Sequence, residues 1–233
     1  MDFRDRHVVV TGGTGALGTA VVKVLVDAGA VCHVPCVHEG EAQRFPLREH
    51  AQVTLLRVSD LADEATVARL YDGVPKLWAS IHIAGGFAMS PVGETDKAAL
   101  MQQVDMNFVT CFLCCRAAVN AFTRSGGGGR IVNVAARPAL EWRSGAGMAA
   151  YTASKAAVAA LTVALAEEVA KNGVLVNAVA PSIMDTAANR AAMPKADFAA
   201  WPKVEEVAAT IAFLASPENK VTRGGIVPVY GRS

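Results

Sequence analysis

Seven short apolar runs rich in β-branched residues, the first six each followed by a stretch with helical spacing, restrict this chain to very few architectures. The runs are "RHVVVTG", "AVCHVPC", "VTLLRV", "LWASIHIAG", "RIVNVAA", "VLVNAVAP" and "GGIVPVYG". Their apolar content is continuous rather than alternating, which is how a strand buried on both faces reads. Helical patterns fall between them at 16–28, 40–49, 62–71, 95–123, 147–171 and 203–215. Strands and helices in alternation build βαβ units, so the expectation is an α/β fold with a parallel sheet covered on both faces. Asn172 and Gly173 end the helix at 147–171 as a C-cap pair, and "SGGGG" at 125–129 reads as a flexible lead into the next strand. With 233 residues, 52% of them hydrophobic and 18% charged, and no linker along the chain, one domain over 1–233 is expected.

Charge and cysteine usage exclude several function classes. Lys and Arg number 22 and Asp and Glu 21, a formal net charge of +1, so no global field draws the chain to nucleic acid or to an anionic membrane. A small-molecule partner is expected. The opening "MDFRDRHVVVTGG" carries charges before an apolar run too brief for a signal or a membrane span, which points to a cytoplasmic protein. Five cysteines, at 32, 36, 111, 114 and 115, are an odd number and read as reduced thiols. Cys111 and Cys114 have CxxC spacing, but they lie in the apolar "MNFVTCFLCCRAAV" without a second pair. They read as small core hydrophobes, and no metal shell is expected.

Two motifs carry chemistry. In "VVVTGGTGALGTAVVKVL", residues 8–25, Gly12, Gly15 and Gly18 stand three apart between a strand and a helix. Backbone amides and a helix N-terminus can then approach a pyrophosphate without Cβ obstruction, although a tight turn without ligand has the same spacing. Asp60 in "RVSDLADE" follows the third strand, where its carboxylate would accept from an adenine amino group, cap a helix beginning near Leu61, or do both. In "AAYTASKAAV", residues 149–158, Tyr151 and Lys155 lie one helical turn apart. An ammonium beside a phenol favours phenolate and gives a tyrosine able to exchange a proton at neutral pH, whereas a solvated helix face would need no such pair.

With these motifs in one chain, the sequence resembles the short-chain dehydrogenase/reductase family along its whole length. The resemblance rests on the glycine loop, Asp60, "IHIAGG", Asn107 in "DMNFVT", "RIVNV", "YTASKAAV" and "VNAVAPSIMDT". It implies a single Rossmann-like, doubly wound domain with a seven-stranded parallel sheet, binding NAD(H) or NADP(H). By position Tyr151 would be the general acid, Lys155 would hold the nicotinamide ribose and lower the phenol pKa, and Asn107 would support a water relay. The same resemblance assigns cofactor contacts to Thr11, Gly12, Gly15, Ala16, Leu17, Gly18, Asp60, Leu61, Ala84, Gly85, Gly86 and Pro181. Backbone at Ile183 and the hydroxyl of Thr186 would meet the carboxamide, with Tyr151 and Lys155 completing the set. It also implies a homodimer or homotetramer built on the helices near 95–123 and 147–171.

One family position is missing. Members carry a serine about a dozen residues before the tyrosine, and here Ala135 and Ala136 occupy the place, with Ser144 the nearest hydroxyl on the tyrosine side. Alanine there, "AGGF" at 84–87, and "DTAANRAAMPKADFAAW" at 185–201 are similar to the dihydropteridine reductase branch. That likeness implies a quinonoid dihydropterin or another small conjugated acceptor, which needs less help at an oxygen. Two other readings stand beside it: a generic ketone, 3-oxoacyl or alcohol oxidoreductase, and a nucleotide-binding regulatory protein without catalysis. Cys36 stands where the family's NAD users place a ribose acid; Glu39 has the general spacing for such an acid, while His38 and Arg44 would welcome a 2′-phosphate. The balance leans slightly to NADP(H). Residues 182–201 read as a substrate-covering flap, with Met184, Met193, Phe198 and Trp201 offering apolar surface to a bound ring.

Overall fold

The computed structural model describes residues 1–233. All seven runs become strands: β1 (His7–Thr11), β2 (Val31–Cys36), β3 (Val53–Arg57), β4 (Leu77–His82), β5 (Gly129–Val134), β6 (Val174–Pro181) and β7 (Ile226–Val229). They form one parallel sheet in the order β3-β2-β1-β4-β5-β6-β7. The central strands are the most apolar because both of their faces are covered, and every residue of β5 is buried. The order reverses between β1 and β4, so a crevice opens beyond their C-terminal ends.

Two apolar layers hold the helices to the sheet. On one face α1 (Ala16–Asp27) and α8 (Val204–Ala215) bury Val21, Leu25, Ile211 and Leu214 against Val8, Val10 and Ile81. The other face carries α3 (Glu64–Asp72), α5 (Thr110–Arg124) and α6 (Ala149–Glu168), whose Tyr71, Phe122 and Val158 pack against Val9, Ile131 and Val176. The helical pattern at 95–123 is α4 (Lys97–Val104) continued into α5 through a π-turn at Asp105–Val109. Such a turn inserts an extra residue and re-aims the side chains around it. The spans Lys97–Arg124 and Ala149–Glu168 are long and apolar enough to cross a membrane by length and composition, and both pack against the sheet here.

Some local expectations change. The helix at 40–49 shrinks to α2 (Glu39–Arg44), because Phe45 precedes Pro46 and is held extended at ψ 117°. The third helix starts at Glu64; its cap is Asp63, which accepts from the Thr66 amide at 2.7 Å, and not Asp60, whose carboxylate takes the Ala62 amide at 2.8 Å. The glycine run at 125–129 is a pinned turn rather than a loose lead. Gly126, Gly127 and Gly128 all adopt positive φ, and the amides of Gly127 and Gly128 donate to Phe122 and Asn172 carbonyls at 2.8 Å each. Gly173 closes α6's extension at φ 72°, as the C-cap reading requires.

Residues 182–201 leave the sheet after β6 and return to α8. The excursion contains α7 (Ala187–Ala192), capped by the Thr186 hydroxyl, and its ends are drawn together where the Asp185 amide donates to the Pro202 carbonyl at 2.9 Å. Trp201 is buried beside Phe198, at 5.0 Å between ring centres. It therefore anchors the base of the segment, while Phe198, Met184 and Met193 remain half-exposed.

Candidate active site

The crevice at the switch point is a cleft of about 990 Å³. Its floor is the β1–α1 turn, and glycine there is a steric requirement. A Cβ on Gly18 would sit 2.0 Å from the Gly12 carbonyl oxygen, and one on Gly12, at φ +66°, would sit 2.7 Å from the Ala84 amide nitrogen. Gly15 is the N-cap of α1 and has no side-chain cap, so the helix's first amides face the cleft. Of the expected cofactor residues, Gly12, Gly15, Ala16, Leu17, Gly18, Asp60, Leu61, Ala84 and Gly85 line this cleft. Thr11 is buried behind it, its hydroxyl oxygen accepting from the Ala84 amide at 3.3 Å. The lining stops short of Gly86, just past β4, of Tyr151 and Lys155 on α6, and of Pro181, Ile183 and Thr186 at and beyond the end of β6. The Thr186 oxygen accepts from the Asn189 amide at 3.2 Å, leaving its proton free to donate.

At the far end of the cleft the acid that faces the cavity is not Glu39. Glu39 turns away to pair with Arg57, and Cys36 is buried, its thiol donating to the His38 carbonyl at 3.2 Å. Glu41 faces the cleft instead and accepts from the Thr14 hydroxyl at 3.2 Å. His38, Glu41 and Arg44 all line this end, three residues apart along one face of the short helix. That spacing was the signal by which Glu41 could have been found in the sequence.

Tyr151 and Lys155 lie one turn apart on α6, as their spacing requires. Their chemistry differs from the expectation. Lys155 is buried and donates to the Val134 carbonyl at 2.9 Å, and burial lowers its pKa to about 8. The Tyr151 phenol, edge-on to Phe87 with ring centres 5.0 Å apart, is pushed up to about 12 by burial. Lys155 and Tyr151 share no hydrogen bond; the ammonium donates to the β5 carbonyl instead.

Asn107 sits in the π-turn, and its side chain clamps the glycine turn after β4. Its Oδ1 accepts from the Gly86 amide at 3.0 Å while its Nδ2 donates to the Gly86 carbonyl at 3.1 Å and the Gln103 carbonyl at 3.1 Å. A Cβ on Gly85 would lie 2.5 Å from Asn107 Oδ1 and 3.4 Å from Lys155 Nζ, so β4's turn, the π-turn and α6 meet at one point. At the place of the family serine, Ala135 and Ala136 are both buried. Ser144 lies in an exposed 3₁₀ turn, Trp142–Gly145, with its hydroxyl donating to the Glu141 carbonyl at 2.8 Å.

Residues 6–197 match the family model described as short chain dehydrogenase. The chain belongs to this family. It is similar to the cis-4-hydroxycyclohexanecarboxylate dehydrogenase of Sinomonas cyclohexanicum, 33% identical over 243 residues covering 98% of this chain and 96% of that one. Galactitol 2-dehydrogenase of Rhizobium johnstonii is also 33% identical, over 95% and 92% of the two chains. Among solved structures, a short-chain type dehydrogenase/reductase from Mycobacterium ulcerans superposes with a TM-score of 0.88 at 26% identity, covering 100% of this chain and 90% of the other. This short-chain dehydrogenase is therefore an NAD(P)-dependent oxidoreductase acting on a small molecule.

Proposed function

We propose that this short-chain dehydrogenase is a reductase of a small conjugated carbonyl or imine acceptor, of the quinonoid dihydropterin kind, with Tyr151 as general acid. The observation that carries the reading is the pair of buried alanines, Ala135 and Ala136, where a substrate-holding hydroxyl would stand, with Ser144 committed elsewhere. An acceptor whose conjugation already favours reduction tolerates that loss.

The chain's residues suit a dinucleotide: Gly12 and Gly18 let the turn pack against its own backbone and the Ala84 amide more closely than a Cβ would allow, and α1 starts at the cleft without a side-chain cap. When bound, a reduced nicotinamide would supply the hydride. The Ala16 and Leu17 amides at the start of α1 would hold the pyrophosphate, and Asp60 the adenine end. His38 and Arg44 favour a 2′-phosphate and hence NADP(H), whereas Glu41 between them favours a ribose diol; the lean to NADP(H) rests on two cationic or protonatable groups against one acid. Ile183 backbone and the Thr186 hydroxyl would meet the carboxamide. Lys155, turning from the Val134 carbonyl to a ribose, would bring its charge toward Tyr151 and draw the phenol pKa down. Asn107 would hold the Gly86 turn in place and support the proton's route from solvent to Lys155. Residues 182–201 would cover the acceptor with Met184, Met193 and Phe198. The outer faces of α5 and α6, where Phe112 and Val163 are exposed, would pair in a homodimer or homotetramer. Five buried free thiols suit a reducing, cytoplasmic setting.

A second reading has its own support: relatives named for cyclic and sugar alcohols favour an ordinary alcohol or ketone substrate. Turnover of NADPH and NADH against a quinonoid dihydropterin and a panel of cyclic ketones separates the two. The absent donor predicts a kcat/KM for the pterin about 10² or more above the ketones, and Tyr151→Phe should abolish most of either rate. Ketones turned over faster than the pterin would overturn the proposal.

A further inference from the structure

The CxxC spacing draws attention to Cys111 and Cys114, but the fold assembles a different set. Cys111 and Cys115, one turn apart on α5, face His82 at the end of β4, and the two sulfurs and the imidazole nitrogen all lie within 4.8 Å of one another in the core. Asn133 of β5 joins them. Its Oδ1 is 2.8 Å from His82 Nδ1 and 3.5 Å from Cys115 Sγ, and Cys115 Sγ is itself 3.5 Å from His82 Nδ1.

Hydrogen-bond direction fixes the orientation of these donors. The Thr162 hydroxyl donates to the Val158 carbonyl at 2.8 Å, so its oxygen must accept from Asn133 Nδ2 at 2.9 Å, and Asn133 Oδ1 is left facing His82. His82 Nδ1 therefore donates to Oδ1, and its Nε2 accepts from Ser80 Oγ at 2.8 Å, with the Tyr71 hydroxyl donating to Ser80 at 2.6 Å. The imidazole is held at both nitrogens, and a ligating histidine is oriented in the same way by the hydrogen bond its other nitrogen makes.

We propose that Cys111, Cys115, His82 Nδ1 and Asn133 Oδ1 form a binding site for one soft divalent cation of the zinc class, next to the carbonyl that holds Lys155. Zinc–sulfur bonds of ~2.3 Å and zinc–nitrogen and zinc–oxygen bonds of ~2.0–2.2 Å demand tetrahedron edges of ~3.5–3.6 Å for S···N and S···O and ~3.4 Å for N···O. The two 3.5 Å edges at Cys115 already fit, and the 2.8 Å edge between His82 and Asn133 opens by ~0.6 Å once its proton is gone. Proton accounting closes: each thiol releases one proton, and two thiolates neutralise the dication. His82 stays neutral, its proton moving from Nδ1 to Nε2. Nε2 then donates to Ser80, Ser80 to the Tyr71 oxygen, and Tyr71 turns its proton to the Cys114 sulfur packed against it.

The test uses the reduced full-length protein, freed of metal by dialysis against chelator and titrated with Co²⁺. One equivalent should bind with a thiolate charge-transfer band, and the zinc-loaded protein should give an X-ray absorption shell of two sulfurs and two lighter atoms. Cys111→Ser and Cys115→Ser should each weaken binding roughly ten-fold or more and reduce the band, whereas Cys114→Ser keeps both. A shell of light atoms only, no stoichiometric binding, or a band that survives in the Cys111 and Cys115 variants overturns the site. The absorption shell needs no variant, so it decides the matter even where a serine variant does not fold.

Discussion

Ala136→Ser probes the missing donor most directly. Ala136 is extended, at φ −161° and ψ 160°, and precedes the 3₁₀ turn Arg137–Ala139, so a serine there meets no backbone strain. Ala135 differs: it packs among the core residues shared by α3, α5 and α6, and its amide is taken by the Val179 carbonyl at 2.8 Å. One positioned donor to a developing oxyanion contributes ~2.7–4 kcal/mol of transition-state stabilisation, or ~10²–10³ in rate. Since the surrounding side chains have not been shaped around a hydroxyl, a gain at the low end, on the order of 10² in kcat/KM, is expected for simple cyclic ketones. A conjugated pterin should change little. The assay is loss of reduced-nicotinamide absorbance under kcat/KM conditions, with cofactor affinity measured separately by fluorescence. Ala135→Ser is the control: a hydroxyl placed in the core without a partner costs ~1–3 kcal/mol of stability and adds no rate. If Ala136→Ser left ketone turnover within about two-fold of the parent while cofactor binding stayed intact, the missing hydroxyl would not be what limits ketones here.

Gly18→Ala places a Cβ 2.0 Å from the Gly12 oxygen, so the turn must shift; thermal unfolding should show a loss of ~1–3 kcal/mol, and dinucleotide binding should fall with it. Arg44→Ala should raise the KM for NADPH roughly ten-fold with NADH unaffected, the value of one charge-assisted hydrogen bond; equal effects on both cofactors would remove Arg44 from the phosphate reading. For Lys155 the folded pKa of about 8 lies below its unfolded value, so between these the unfolded chain binds more protons and stability rises with pH. Urea midpoints of the parent relative to Lys155→Met should therefore climb from about pH 8 to pH 10, and a flat difference would contradict the burial. Tyr151 has the opposite sign: its folded pKa of about 12 lies above the unfolded value, so its contribution is present below pH 10 and is lost as pH rises toward 12.

What could be read from the letters divides along a physical line. The strands were legible because burial on both faces of a parallel sheet leaves an unbroken apolar run, and β5 is the extreme instance. Tyr151 and Lys155 were legible because helical spacing is local. Asp60 and Asp63 were not distinguishable as caps, since either carboxylate suits the chemistry and the winner depends on where the chain leaving β3 turns over. Composition identified "SGGGG" as able to take positive φ, but one of the bonds that pin it goes to Asn172, more than forty residues away. Glu39 and Glu41 were separable only through the face of α2 that meets the cleft. The same limit governs protonation. Lys155 was read as the cation that ionises Tyr151 because the two are neighbours on one helix, whereas its hydrogen-bond partner is a carbonyl on a strand twenty-one residues earlier. Which proton a side chain keeps is set by contacts distant in sequence, so local spacing locates the acid and its companion but cannot assign their charges; that assignment waits on the packing of α6 against β5.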